Sequence, residues 1–544
     1  MTPSGCSAIA PDIAASDRQG PASPAIRRRG LETAVVILGS LLAGAAYSRF
    51  RGEDVNWDWQ NYHDYNAFAL LHGRHEVDVA PAGIQSFLNP LVYLPAYLLR
   101  HHVVAPWSGM LLGAVHGLNL ALIHWFSRGV LGGRANGALL AATVVIAAFG
   151  PMALSEVGTS FADILTALPV LGGLGLILGS KAGQRSRYAV AGLLIGAAVG
   201  LKLTNMIFLV AALVSLLYAA QPATALSCVA LGAAIGALGT GGAWGWTLWH
   251  HYGNPVFPFF NSVFHSLDAP LAEIADTRFM PRNFWDGAAY PFYWLIGVHP
   301  SSEAAFRDPR FAILALIGAA HGCIGLFGDK PRLARRDKQF LLFFAVAYLL
   351  WLRTFAIHRY AIALELLAGP LIVMLLARLW TAMPLAAPQQ RPRLQLDLAT
   401  GSVALAIVLW SQPADWSRRA WADSYRPQIS ASLLSPASYF LIEKPLGYVI
   451  PLLPVGSRAY QLADILLPIT PGGVLDRRIR AGLADPLPGG TWALHVHGST
   501  PRQDLLDGYD LRFDAARPCE FINGADGADI EACPLIKSEM AAGP

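Results

Sequence analysis

Apolar residues in this chain gather in long runs separated by short polar segments, instead of alternating with charge at a helical or strand period. The first run covers about 31–48, and others follow near 107–127, 136–154, 161–179, 188–203, 204–220, 224–246, 309–327, 338–356, 360–380 and 399–412. Each is at or close to the roughly 20 residues that carry a helix across a bilayer. The pattern therefore predicts an all-α polytopic membrane protein with about eleven transmembrane helices. The stretch 188–220 is one continuous run that divides at Lys202. Residues 1–30, rich in Ala, Pro and Ser, read as a disordered N-terminus. They end in Arg27, Arg28 and Arg29, a basic flank that also suits a cleavable signal with Ala43 and Ala45 near its end. The length of the run favours an uncleaved first helix.

Beyond residue 412 the texture changes. Charges, prolines and short β-leaning pieces such as 491–496 replace the apolar runs, which predicts a small α/β extramembrane domain over 413–544. Basic residues then set the orientation. Arg27–Arg29, Arg128 and Arg134, Lys181 to Arg187, Lys330 to Lys338, and Arg391 with Arg393 all fall on one side if the N-terminus is cytoplasmic. The long loops 49–106 and 247–308 then lie on the opposite face with the C-terminal domain. The expected location is a bacterial inner membrane, N-terminus inside and C-terminus in the periplasm.

Composition agrees: 54% of residues are hydrophobic, 14% are charged and the mean hydropathy is +0.42. Soluble domains carry about 25% charge. The net charge of +4 has no clustered basic patch with aromatic platforms, so nucleic acid is not an expected partner. Of five cysteines, Cys228 and Cys323 lie in apolar runs, whereas Cys519 and Cys533 lie in the C-terminal domain and could pair there in an oxidising compartment. Walker A, HExxH and strand-borne GxSxG motifs are absent from the sequence. Gly192, Gly196 and Gly200, like Gly232 and Gly236, repeat at a four-residue spacing that suits close helix packing.

Candidate chemistry collects in the loop after the first run, where Asp54, Asp58, Tyr62, His63 and Asp64 fall within a few turns of the membrane edge. Amphipathic aromatics alone would read as an interfacial belt, but clustered aspartates need another reason. Glu156 and Asp163 bridge the third and fourth runs, where acids so near hydrocarbon call for partners or a role. Helix capping is the ordinary alternative for them. Lys202 interrupts an apolar run and must snorkel or meet an anion. Arg359, followed by Tyr360, stands at the turn between two late runs, where an arginine can clamp a phosphate. The segment 251–261, with two prolines, aromatics and two asparagines, cannot continue a regular helix and suits a lid or lipid entrance.

Asp58, Tyr62, Gly73 and the later Asn89-Pro90-Leu91 together resemble the first outer loop of the GT-C glycosyltransferases that use polyprenyl-phosphate sugars, the dolichyl-phosphate-mannose and aminoarabinose transferase type. In that pattern an Asp precedes a Tyr by four residues and a Gly by fifteen, as Asp58 does here. The pattern often has Asp-Glu neighbours, whereas Trp59 follows Asp58. The likeness extends loosely, through helix count and orientation, to about residue 410. It implies an inverting transferase in which Asp58 is the general base. Asp54, Tyr62, His63, Asp64, Glu156 and Asp163 would meet the acceptor or substrate, and Lys202, Arg359 and Tyr360 the lipid phosphate. The expected partners are a polyprenyl-phosphate sugar donor, an envelope glycan, lipid or protein acceptor, and membrane lipids. Glu156 and Asp163 are also the candidates for helping to hold a divalent metal ion. Two other classes remain open: a transporter or flippase for a lipid-linked sugar, and an envelope scaffold acting through its C-terminal domain.

Overall fold

The computed structural model describes residues 24–272, 274–327, 333–382, 393–422, 429–525 and 527–538. Most of the expected N-terminal tail, residues 1–23, lies outside the described residues, as do Lys330, Arg332 and Arg391. Every apolar run forms a helix. In chain order, α1 covers Pro24–Arg51, and the first loop carries the short α2 (Asp64–His72) and α3 (Leu94–His102). The bundle continues with α4 (Trp107–Leu131), α5 (Gly137–Ala148), α6 (Pro151–Glu156), α7 (Ala162–Gly179), α8 (Arg185–Leu201), α9 (Met206–Ser215) and α10 (Pro222–Tyr252). The second long loop holds α11 (Asn261–Phe264) and α12 (Phe284–Ile296). The chain then returns through α13 (Arg310–Phe327), α14 (Arg335–Thr354), α15 (Ile362–Ala382) and α16 (Arg393–Trp410).

Among the described residues six helices are long and apolar enough to cross a membrane: Gly30–Arg51, Trp107–Arg134, Ala162–Gly179, Pro222–Tyr252, His358–Thr381 and Arg393–Trp410. They mark the chain as a membrane protein. The other five expected runs are helical too, but α5, α8, α9 and the apolar part of α13 are shorter, and α14 opens with four charged residues, Arg335 to Lys338. The N-terminal expectation needs one correction: helix begins at Pro24, seven residues before the apolar run. Arginines are good helix formers and proline is tolerated in a first turn, so the basic flank extends the helix.

Small residues set the closest helix approaches. Gly192 and Gly196 of α8 face the backbone of α10 at Val229 and Ala233, while Gly232 and Gly236 of α10 face Ala189 and Leu193. A β-carbon at any of these four would collide with backbone across the interface. Helix α8 stops at Leu201, and Lys202 is extended (φ −148°, ψ 112°), so the long run breaks where its lysine stands. Span 358–381 is the centre of the bundle, with 89% of its apolar window buried against 11% for span 30–51.

The C-terminal region is an α/β domain. Strands β3 (Ser438–Leu441), β4 (Arg458–Gln461), β5 (Thr491–Val496), β6 (Leu511–Phe513), β7 (Glu520–Ile522) and β8 (Ile530–Lys537) form a sheet of order β4-β3-β5-β8-β6, with β7 also on β8. Strand β3 is parallel to β4 and β5; the connection from β3 to β4 runs through residues 442–457, and helix α17 (Val474–Ala484) lies in the crossover from β4 to β5. Helix α18 (Gln503–Asp507) precedes β6. Cys519 and Cys533 form a disulfide that ties the β7 end to β8.

The first loop is built into this domain. Strand β1 (Glu53–Asp54) pairs with β2 (Arg418–Arg419), and Val79 bridges Tyr460 on the edge strand β4. Trp59, Tyr62 and Tyr65 share a buried core with Tyr439, Tyr448 and Trp492. At its other end Asn89 donates to the carbonyls of Gly200 and Thr240 (2.7 and 2.9 Å), fastening the loop to α8 and α10. The loop is thus a plate clamped between bundle and sheet.

Candidate active site

The plate contains a five-residue π-helix, Trp59–His63. A π-turn takes more than four residues, so Asp58 shares a face with residues both four and five positions ahead. Tyr62 is four ahead, and its hydroxyl donates to Asp58 Oδ2 at 3.2 Å. His63 is five ahead; its ring packs edge-on to Tyr62 (4.4 Å between centroids) and stacks on Tyr93 (4.4 Å).

Arg359 reaches this face from the turn before α15. Its Nη1 donates to Asp58 Oδ2 at 2.6 Å, and its guanidinium lies over Phe161 (4.7 Å), Trp416 (5.4 Å) and Tyr360 (5.8 Å). Lys202, at the break after α8, pairs with Asp163 at 2.6 Å and lies 4.6 Å from the Tyr360 ring centre. Glu156, at the end of α6, is completely buried; its Oε2 accepts from the Ile164 amide. Residues from five separate segments therefore meet where the plate covers the bundle. Asp58 and Arg359 each keep 14% of their side-chain surface.

Burial raises the Asp58 carboxyl, but the Arg359 guanidinium, with Lys202 assisting, outweighs it and holds the group below the usual carboxylate range. Asp58 is ionised at neutral pH. Burial pushes His63 down to about 3 despite Asp58 and Asp54, so the imidazole is neutral. Ser160 Oγ donates its proton to Asp54 Oδ2 (2.8 Å) and therefore receives the Nδ1 hydrogen of His63 (2.8 Å). Glu156 behaves oppositely: burial, reinforced by the Asp163 carboxylate, drives it well above the carboxylate range against the pull of Arg359 and Lys202. Three buried polar atoms of this cluster have no hydrogen-bond partner among the described residues: Glu156 Oε1, Asp163 Oδ2 and Arg359 Nε. Buried groups left unpaired are costly and uncommon.

The structure thus brings together Asp58, Tyr62, His63, Glu156, Asp163, Lys202, Arg359 and Tyr360. It separates two of the residues singled out with them. Asp54 lies behind His63, spent on the Ser160 amide and hydroxyl and on Asn56. Asp64 points away from the cluster and pairs with His101 (3.0 Å). Next to the cluster stands a group no motif indicated: Asp308, Arg310, His358 and Glu365, all fully buried. Arg310 holds Asp308 at 2.5 and 2.8 Å, and Glu365 accepts from His358 (3.0 Å) and from the Ala153 amide (2.9 Å). The available signal was a glutamate inside an apolar run with an arginine at the edge of another.

Two groups among the described residues have metal-ligand spacing: Asp308 with His358 and Glu365, and His495 with Glu531 and Cys533. In the first, the Arg310 guanidinium already supplies the positive charge. In the second, the Cys533 sulfur is committed to the disulfide. Glu156 and Asp163 belong to neither group. No protein-family model, curated protein or solved structure matches the chain.

Proposed function

We propose that this chain is an inverting membrane glycosyltransferase of GT-C type, moving a sugar from a polyprenyl-phosphate donor to a cell-envelope acceptor on the face that carries the long loops. In this reading eleven helices cross the bacterial inner membrane, and the C-terminal domain is periplasmic. The observation that carries it is the meeting of an ionised, partly exposed Asp58 with two cations, Arg359 and Lys202, beneath a loop clamped over the bundle.

Asp58 takes the proton of the acceptor hydroxyl as its oxygen bonds to the anomeric carbon. The bond from that carbon to the phosphate oxygen breaks, and the electron pair leaves with the polyprenyl phosphate. Arg359 can serve both partners at once. It holds Asp58 through Nη1 and leaves Nε, unpaired, for the phosphate. Lys202 adds the second positive charge, with Tyr360 beneath it. Glu156, its carboxyl pushed up by burial, leaves Oε1 for the acceptor or the sugar. Asp54 is assigned a supporting role through Ser160 and His63, and Asp64 no contact with the reacting groups.

The test is reconstitution of the purified chain in lipid nanodiscs with radiolabelled polyprenyl-phosphate sugars and an envelope extract. Acceptor-dependent release of polyprenyl phosphate is the expected result. Intact donor throughout, together with donor crossing between leaflets in sealed vesicles, would replace the transferase reading with the transporter.

A further inference from the structure

Helix α10 has 31 residues and is therefore about 46 Å long, longer than the roughly 30 Å hydrocarbon core. Part of it must therefore leave the apolar layer, and its last turns expose Trp246 (70%) and Trp249 (48%), the residue type that marks a membrane–water boundary. The following loop does not move off into solvent. Phe264 of α11 lies against Trp249, with ring centroids 6.3 Å apart. Asn261 fixes the loop by donating to the carbonyls of Ser266 and Ala269 (2.9 and 2.8 Å). From this fixed loop Phe260, Val263, Leu267 and Leu271 point outward, each more than half exposed.

The C-terminal domain joins the same level. Asp268 Oδ1 accepts from the Leu475 amide at 2.9 Å, and Leu467 and Leu475 share a buried core with Leu248, Phe257 and Ala269. Immediately before Leu467, Ile465 is 91% exposed and Leu466 45%. From 465 to 475 the sequence has no charged residue, and the flanking Asp464 is buried and paired with Lys444 (3.2 Å). Ile465 and Leu466 thus form an exposed apolar pair beside the core shared with the end of α10, and a contiguous apolar patch marks an interaction surface.

We propose that segments 260–271 and 464–471 form one apolar collar seated in the headgroup-to-acyl boundary of the leaflet at the end of α10, so that the C-terminal domain rides on the lipid surface. The occupant is lipid because the collar continues the exposed apolar side of α10, at Leu231, Ile235 and Leu238, and between Leu238 and Leu271 the sequence holds no Asp, Glu, Lys or Arg except the buried Asp268. The collar holds the domain, and with it the clamped first loop, at a fixed height over the bundle. It does not depend on the reaction proposed above.

The experiment uses the full chain in nanodiscs with Cys6, Cys228 and Cys323 replaced by serine and the disulfide kept. Single cysteines at Leu267→Cys, Ile465→Cys and, as a solvent control, Asp504→Cys carry a small fluorophore. Nitroxides on the lipid acyl chain should quench positions 267 and 465 several-fold more than 504, and a water-soluble quencher should show the reverse order. Ile465→Cys quenched from water as strongly as Asp504→Cys overturns the proposal, whatever position 267 does. Protection of 465 from both quenchers, with crosslinking between copies, assigns the face to a second chain and overturns it equally.

Discussion

Two clusters of carboxylates and cations lie side by side in this protein, divided by the peptide bond between His358 and Arg359. In the cluster of Asp308, Arg310, His358 and Glu365, every side-chain nitrogen and oxygen has a partner among the described residues, and nothing is exposed. In the cluster of Asp58, Glu156, Asp163, Lys202 and Arg359, three polar atoms have none, and Asp58 and Arg359 each keep 14% of their side-chain surface. The same residue types thus do different work. A saturated buried network fixes geometry, while an unsaturated one retains donors and acceptors for a ligand. The first also supports the second, because Glu365 caps the start of α6, whose far end carries Glu156, and His358 holds the turn that presents Arg359.

The contrast breaks most directly at Asp58. Asp58→Asn keeps the shape and removes the base, so transfer should fall by about 10²–10⁴-fold, measured as label transferred from the polyprenyl-phosphate donor. Asp64→Asn, beside His101, should stay within a few-fold of the parent; if it were the dead variant instead, the base would be misassigned. The saturated cluster should fail in a different currency. Arg310→Met strands two buried carboxylates and should cost about 3–5 kcal/mol of stability, read as a lowered melting temperature in detergent. Arg359→Met should be milder in that assay because Asp58 is partly exposed. Equal losses for the two would erase the distinction drawn between the clusters.

Arg359→Met and Lys202→Met sharpen the comparison at the donor. A hydrogen bond to a charged group contributes about 1.5–3 kcal/mol, so each should weaken donor use by about ten- to a hundred-fold. Titration of a non-transferable polyprenyl phosphate should register that loss, and an unchanged affinity would remove both residues from the phosphate site.

The smallest expected effect is on pH. His63 is held down to about 3 by burial, so in the folded state it stays neutral while the unfolded chain takes up a proton below about 6.5. Its contribution to stability is complete above 6.5 and is lost progressively as pH falls toward 3. Between pH 6.5 and 5.5 this amounts to about 1 kcal/mol. The melting temperature of His63→Gln should lack that component of the decline, and an unchanged decline would place the sensitivity elsewhere.

Much of the site was legible because charge in or beside hydrocarbon is conspicuous. Lys202 marked a helix break, and Asp163, Glu156 and Arg359 each stood at a run's edge; all four reappear in one cluster. Choosing among Asp54, Asp58 and Asp64 by spacing alone was less secure, and the geometry distinguishes them by partner: Ser160, Arg359 and His101. The saturated cluster escaped notice because its four members come from residues 308–310 and 358–365, and only folding brings those segments together.

Hydrophobic run length and composition, local properties of the chain, determined the helical bundle, the break at Lys202 and the change of texture past residue 412. The α/β character of the C-terminal region and the pairing of Cys519 with Cys533 were likewise readable in the sequence. Tertiary structure alone decided that the first loop is built into the C-terminal domain, through a separate two-stranded pairing of Glu53 with Arg419 and a bridge from Val79 to Tyr460 at the edge of the main sheet. It also decided which polar atoms stay unpaired. Both depend on contacts between residues hundreds of positions apart, where burial is a property of the assembled surfaces and no local pattern encodes it.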